Sequence, residues 1–257
     1  MPAVRISRAL LTSALFVCFA CAGVAHADAV GANTRERVRV VQVLDGDSFR
    51  LSDGREIRLI GINAPEFGKD GKPNEPIARE ARELLASLIL GRAVELEYDN
   101  ERYDRYRRTL AHAFVGDRTS VEETMLREGR AFLVAQAPNL AHLDINSAAE
   151  AAARRATRGV WAEPYYQPRA ADRLTPNDAG FRFVEGRVQR VSRGPHAIYI
   201  DLSEHFSLMI PHEYWAHFGG DPQRLNGKRL IVRGWISTHE NRLRMRLSHP
   251  TMLELVN

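Results

Sequence analysis

Outside its first 27 residues the 257-residue chain has no cysteine, because Cys18 and Cys21, the two it contains, both lie in the apolar run Ala9 to Ala25. The rest of the chain therefore has no disulfide and no thiol chemistry, and a C-x-x-C spacing inside an apolar leader excludes a redox pair. The apolar run is itself short for a membrane span. It follows Arg5 and Arg8 and closes in "AHA" before Asp28. Residues 1–27 are thus expected to be a signal peptide removed on export, leaving a periplasmic or secreted protein with no stable membrane association. The residues before Cys21, "CFA", lack the leucine of a lipoprotein signal. No repeat with shared motifs and no Lys/Arg-rich amphipathic helix is visible. The 230 residues from Asp28 onward are enough for two cores.

Charge is unevenly placed. Asp28 to Pro168 carries 21 basic against 23 acidic residues, and Arg169 to Asn257 carries 13 against 9. A positive C-terminal part attached to a near-neutral one suggests a polyanionic partner, with nucleic acid ahead of anionic lipid.

The segment "RVRVVQVLDGDSFRLSDGREIRLIGI" alternates β-branched residues and breaks at Asp45-Gly46 and Asp53-Gly54, which predicts a three-stranded meander. In "EPIAREARELLASLILG", Ile77, Ala81, Leu84, Leu85 and Leu88 share one helical face and Gly91 stops the helix. "RAVELEYD" and "RRTLAHAFV" predict a strand pair. Ser120 with Glu123 predicts a capping box opening a helix that ends near Gly129. An alanine-rich helix is expected from about Ser147 to Gly159. Five strands with helices at the ends give the expected fold class: mainly β with helices (α+β), a five-stranded barrel of the oligonucleotide-binding (OB) type. Residues 165–180, with Pro168 and "LTPNDAG", have the composition of a linker. Residues 181–257 then offer five strand candidates, and a second small OB-like β-barrel is expected there. Its segment "NRLRMRLSHP" puts Leu243, Met245 and Leu247 on one face and Arg242, Arg244 and Arg246 on the other.

Three clusters carry the chemistry: "DGDS" at Asp45 to Ser48, "RLIGINAPE" at Arg58 to Glu66, and "DRYRRTLAH" at Asp104 to His112. Each taken singly is a turn with a few charges. In this order and at these separations, with "PN" at Pro138-Asn139 and "GVWAE" at Gly159 to Glu163, the chain resembles the staphylococcal nuclease (thermonuclease) family from about Val38 to Trp161. Residues 28–164 are then the nuclease-like domain. Hydrolysis of a phosphodiester needs an activated water, neutralised phosphoryl oxygens and a stabilised leaving oxygen, for which carboxylate, metal and arginine are suited.

The resemblance implies metal ligands at Asp47, Asn63 and the Ala64 carbonyl, with Ca2+ (calcium) as cofactor. It implies Glu66 as general base, Arg58 and Arg108 as phosphate clamps, and Arg105 and Tyr106 as nucleotide contacts. The expected activity is sugar-nonspecific cleavage of DNA and RNA to 3′-phosphate ends. There are three departures from the family. Asn63 stands where the family has an aspartate, Arg107 replaces a glycine, and no aromatic occupies Ala135 to Ala137, where a base platform is expected.

Two alternatives stay open. One is a weakened nuclease fold that binds nucleic acid without cutting it; the other makes the second barrel a protein-docking module. The Arg242/Arg244/Arg246 stripe is the candidate phosphate track of that barrel, and Tyr214, Trp215 and Phe218 are candidates for base stacking. "HEYWAH" puts His212 and His217 five apart, which does not make the one-faced pair of an H-E-x-x-H zinc site.

Overall fold

A computed structural model describes residues 34–68, 71–239 and 242–256. The expected signal peptide, residues 1–27, lies outside the described residues. Among them no helix is long and apolar enough to cross a membrane.

The first sheet is built from β1 (Arg35–Val43), β2 (Ser48–Leu51), β3 (Glu56–Leu59), β5 (Ala93–Glu97), β6 (Thr109–Val115) and β7 (Thr119–Ser120), and a two-residue strand β4 (Ile62–Asn63) precedes the helix α1 (Ala78–Ile89). Strand β1 pairs with β5 through Arg35 to Arg39 and with β2 through Val40 to Val43, with a register shift between Val40 and Gln42. Strand β3 runs parallel to β6, with Ile57 beside Thr109. These pairings close a circuit β1-β2-β3-β6-β5. The interior is filled by Phe49, Leu51, Ile57, Leu59, Val94, Leu96 and Ala111, with Ala81, Leu85 and Ile89 of α1 packed over it.

Helix α1 buries Ala81 and Leu85 of the expected face and half-buries Leu84 and Leu88, whereas Ile77 precedes the helix and packs against the core of the C-terminal sheet; Gly91 follows in the left-handed conformation. Helix α2 (Val121–Arg127) starts where the sequence indicates, since the Glu123 N–H donates to Ser120 Oγ at 3.1 Å. Only half of the expected reciprocal cap forms, because the Glu123 carboxylate turns instead to Arg127. Strand β8 (Phe132–Leu133) pairs with β4. Helix α3 (Leu143–Arg155) begins ahead of the expected Ser147. His142 turns the chain in the left-handed conformation and its Nε2 lies 2.8 Å from Glu97 Oε1, so a tertiary contact fixes the start.

Residues 165–180 contain a two-residue strand β9 (Arg169–Ala170), two short 3₁₀ turns and the end of a third that begins at Pro164. Ala171 and Asp178 are buried here, and Asp178 pairs with Arg169 and caps Thr175.

The remaining strands are β10 (Gly180–Arg187), β11 (Arg190–Arg193), β12 (Ala197–Asp201), β13 (Phe206–Pro211), β14 (Arg229–His239), β15 (Arg242–Arg246) and β16 (Leu253–Val256), with the short helix α4 (Trp215–Phe218) between β13 and β14. Strand β10 pairs with β14, and β11, two residues further on, pairs with β12. Strand β13 runs parallel to β15. The circuit β10/β11-β12-β13-β15-β14 therefore repeats the connectivity of the first one.

The core of this second sheet is not its own alone. Phe132, Val134, Ala135 and Val160 belong to it, and the Phe132 ring lies 4.9–5.5 Å from the rings of Trp161, Tyr166, Phe181 and Phe183. Glu150 of α3 and Arg233 of β14 form a buried pair with two 2.7 Å contacts, and Glu150 Oε1 also accepts the Leu133 N–H.

Candidate active site

Strand pairing brings the three clusters to one end of the first barrel. Ser48 lies opposite Arg58, and the Leu59 N–H donates to the Asp47 carbonyl at 2.9 Å. The parallel β3–β6 pair starts β6 beside Ile57, which puts Arg108, the residue before β6, next to the same end. Gly46 makes the first turn fit. A Cβ there would stand 2.5 Å from the Cβ of Ala64 and 2.7 Å from that of Ala81, both buried.

Asp47 is buried. Its Oδ2 accepts the Ala64 N–H at 2.7 Å and lies 3.0 Å from Arg58 Nη2, while Oδ1 accepts from Ser48 Oγ at 2.9 Å. Arg58 Nη2 also donates to Asn63 Oδ1 at 3.2 Å, and Nη1 donates to the Leu59 carbonyl at 2.9 Å. One nitrogen thus collects the Asp47 and Asn63 oxygens. Burial pushes the Asp47 carboxyl up to about 7; Arg58 and the Ala64 N–H pull it down, and the nearby Asp45 and Glu66 charges add to the rise.

The donor set fits a hard cation. Asp47 Oδ2 and Asn63 Oδ1 both face Arg58 Nη2, so a cation held between them would replace that guanidinium contact, and the Ala64 carbonyl lies 3.4 Å from Asn63 Nδ2. All three are oxygens, and a carboxylate that burial holds partly protonated gains from added positive charge. Among the described residues no group of three or more His, Cys, Asp or Glu is arranged for a metal.

Glu66 is exposed beyond the buried Pro65, on a loop whose ends are joined: the Glu75 N–H donates to the Glu66 carbonyl and the Glu66 N–H to Glu75 Oε2, each at 2.9 Å. Arg108 is held by Asp104, with Nε at 2.8 Å from Oδ2. Its pKa is raised despite partial burial, through Asp104 and then the charges of Asp47 and Glu56. Tyr106 is 64 % exposed, accepts from Arg105 Nη2 at 2.7 Å, and has the Arg108 guanidinium 5.7 Å from its ring centre.

Arg107 keeps the turn that a glycine would favour, at a φ of 68°. The segment Ala135 to Ala137, without its aromatic, meets the second barrel: the Ala135 N–H points at Met252 Sδ and the Ala137 N–H donates to Ser248 Oγ. Exposed Tyr106 lies beside both Arg105 and Arg108.

In the second barrel, Arg242 lies 3.3 Å from Asp201, which also pairs with Arg190, and Arg246 lies 3.6 Å from Glu213. Arg244 sits over the Tyr199 ring at 5.3 Å. Trp215 and Phe218 stack on each other. His212 Nε2 faces the Gly194 carbonyl and His217 packs beside His249. Sequence reasoning did not single out Asp104, Glu75, Glu150 or Arg233. Asp104 had a signal, its i,i+4 spacing to Arg108; the others have partners far away in the chain.

The family model described as "Staphylococcal nuclease homologue" matches residues 56–163. The chain is 30% identical over 146 residues to a protein named "Thermonuclease" of Staphylococcus hyicus, covering 56% of this chain and 82% of that protein. An "Uncharacterized endonuclease" of Escherichia coli O157:H7 is 33% identical over 128 residues, 49% of this chain and 76% of its own length. "Endonuclease YncB" of Bacillus subtilis is 28% identical over 141 residues, 52% and 66% respectively.

Proposed function

From membership of the staphylococcal nuclease homologue family, to which this chain belongs, we propose that it is an exported, calcium-dependent phosphodiester hydrolase acting on DNA and RNA. The observation that carries this reading is the meeting of Arg58 with the Asp47 and Asn63 oxygens at 3.0 and 3.2 Å, within reach of the charges of Glu66 and Arg108. Asp47, Asn63 and the Ala64 carbonyl would hold Ca2+, which supplies positive charge for the phosphoryl oxygens.

The planar guanidinium groups of Arg58 and Arg108 bind the non-bridging oxygens and stabilise the charge that grows there. Glu66 takes a proton from the attacking water as the water oxygen bonds to phosphorus; the bond to the 5′ oxygen breaks, and that oxygen takes up a proton from solvent, leaving a 3′-phosphate and a 5′-hydroxyl. Tyr106 with Arg105 offers a stacking surface for a base. In the second barrel, Arg244 beside Tyr199 is the better strand contact of the arginine stripe, because Arg242 and Arg246 already face carboxylates.

The binding-only reading draws on Asn63, whose amide supplies no charge to the site. Degradation of plasmid, single-stranded DNA and RNA by residues 28–257, with Ca2+ and with chelator, separates the two. Cleavage in Ca2+ alone is expected, with Glu66→Gln or Arg58→Met slower by about 10²–10³-fold. Full activity in excess chelator, or none with any divalent ion, overturns the proposal.

A further inference from the structure

Glu75 lies outside the three sequence clusters, yet it is the point where the second barrel reaches the active-site loop. One carboxylate oxygen, Oε2, accepts the Glu66 N–H at 2.9 Å, and the Glu75 N–H returns a bond of the same length to the Glu66 carbonyl. The other oxygen, Oε1, accepts from the Tyr165 hydroxyl at 3.1 Å and faces Arg182 Nη1 at 3.4 Å. The guanidinium of Arg182 also lies 5.5 Å from the centre of the Tyr165 ring. Next along the chain, the Tyr166 hydroxyl donates to the Pro76 carbonyl at 2.7 Å. Burial and the Glu75 charge both push the Tyr165 phenol up, so it stays a donor at neutral pH.

Arg182 belongs to β10 and is largely covered, as is Glu75. A carboxylate shielded in this way is held more firmly than one on the open surface, where such pairs contribute little. Glu66 is thereby fixed by its backbone at both its N–H and its carbonyl while its own side chain stays exposed.

We propose that Glu75, set by Arg182 and Tyr165, is a positioning residue for Glu66, and that the second barrel acts on the reaction through this contact. The proposal rests on the reading of Glu66 as the general base. Displacement of a reacting group by about 1 Å can cost on the order of 10²-fold in rate without weakening substrate binding. The expected signature is therefore a fall in kcat with KM nearly constant.

Steady-state cleavage of single-stranded DNA and amide hydrogen exchange at residues 66–68 test this on the chain from Asp28 to Asn257. Arg182→Met is expected to lower kcat by about tenfold and to move KM by less than about twofold, with Arg182→Lys recovering most of the loss. Glu75→Gln is expected to slow cleavage at least as much. Adding it to Glu66→Gln should cost nothing more, because the two act as one unit. Exchange of the Glu66 N–H should quicken about tenfold in Arg182→Met, and Tyr165→Phe provides a milder variant if Arg182→Met does not fold.

A slow Glu66→Gln beside a fully active Glu75→Gln overturns the positioning role, and so do losses that multiply in the double variant. A fully active Glu66→Gln overturns the general-base reading instead. Unchanged Glu66 exchange in both Arg182→Met and Tyr165→Phe overturns the contact itself, whatever the activity.

Discussion

Asn63 puts a neutral oxygen where a carboxylate would add charge. It is buried, and its Oδ1 already faces Arg58, so Asn63→Asp would give Arg58 a second anion to offset. Affinity for a hard cation rises with ligand charge, and the Ca2+ concentration for half-maximal cleavage should fall on the order of tenfold while the saturated rate changes far less. A calcium titration of activity checks this; an unshifted midpoint removes Asn63 from the ligand set. Asp47 sets a pH dependence in chelator. Its carboxyl titrates at about 7 in the folded chain, against about 3.9 unfolded. The native state keeps a proton that the unfolded state loses between those values, so the contribution is whole below the lower one and disappears as pH rises through the upper. Asp47→Asn cannot titrate, and its Tm relative to the parent should climb from pH 4.5 to 8; a constant difference would mean that Arg58 keeps the carboxylate ionised throughout. Arg107 occupies a left-handed φ of 68°, and Arg107→Gly should raise stability by about 0.5–1 kcal/mol in urea titrations. These side chains were legible because each belongs to a short motif whose order along the chain is distinctive. Glu75 was not, since Tyr165 and Arg182 meet it from 90 and 107 residues away.

Among the elements, the turn at Gly46 is fixed by its neighbours more than by its own backbone freedom. The methyl groups of Ala64 and Ala81 approach it from the end of β4 and from α1, and neither has a flexible end that can yield. Gly46→Ala should cost about 1–3 kcal/mol, read as a lowered urea midpoint, with reduced cleavage because the Asp47 turn moves away from Ala64. Local signals located the meander, α1, α2 and the principal strands of the second sheet. They failed at the start of α3, where no side chain caps the helix and the His142–Glu97 contact sets the boundary. They also left residues 165–180 without elements, because proline and polar residues mark turns but do not say whether those turns pack. Ala171 and Asp178 show that here they do.

At the scale of the molecule, Glu150 and Arg233 tie α3 to the second sheet in a buried pair. Arg233→Met strands the Glu150 charge and should lose about 3–5 kcal/mol, measured by urea denaturation, whereas Glu150→Gln with Arg233→Met should lose distinctly less. Equal losses would show that the arginine acts by packing alone. The common strand connectivity of the two sheets was legible as two runs of five strand candidates. The sharing of Phe132, Val134 and Val160 with the second core was not, because an apolar residue does not announce which sheet it will face.

The position of Phe132 also bears on the order of events during synthesis. Arg58, Glu66 and Arg108 are all made before it, while Phe181 and Phe183, which cover it, and Arg182, which reaches Glu75, come later. Chains grow at about 5–20 residues per second, and barrels closed by distant strand pairs fold slowly. For several seconds the growing chain therefore carries every group proposed to cut a phosphodiester without the parts that bury Phe132 and hold Glu66. Synthesis of β10, and of β14 with which it pairs, acts as a delay on the appearance of a finished nuclease.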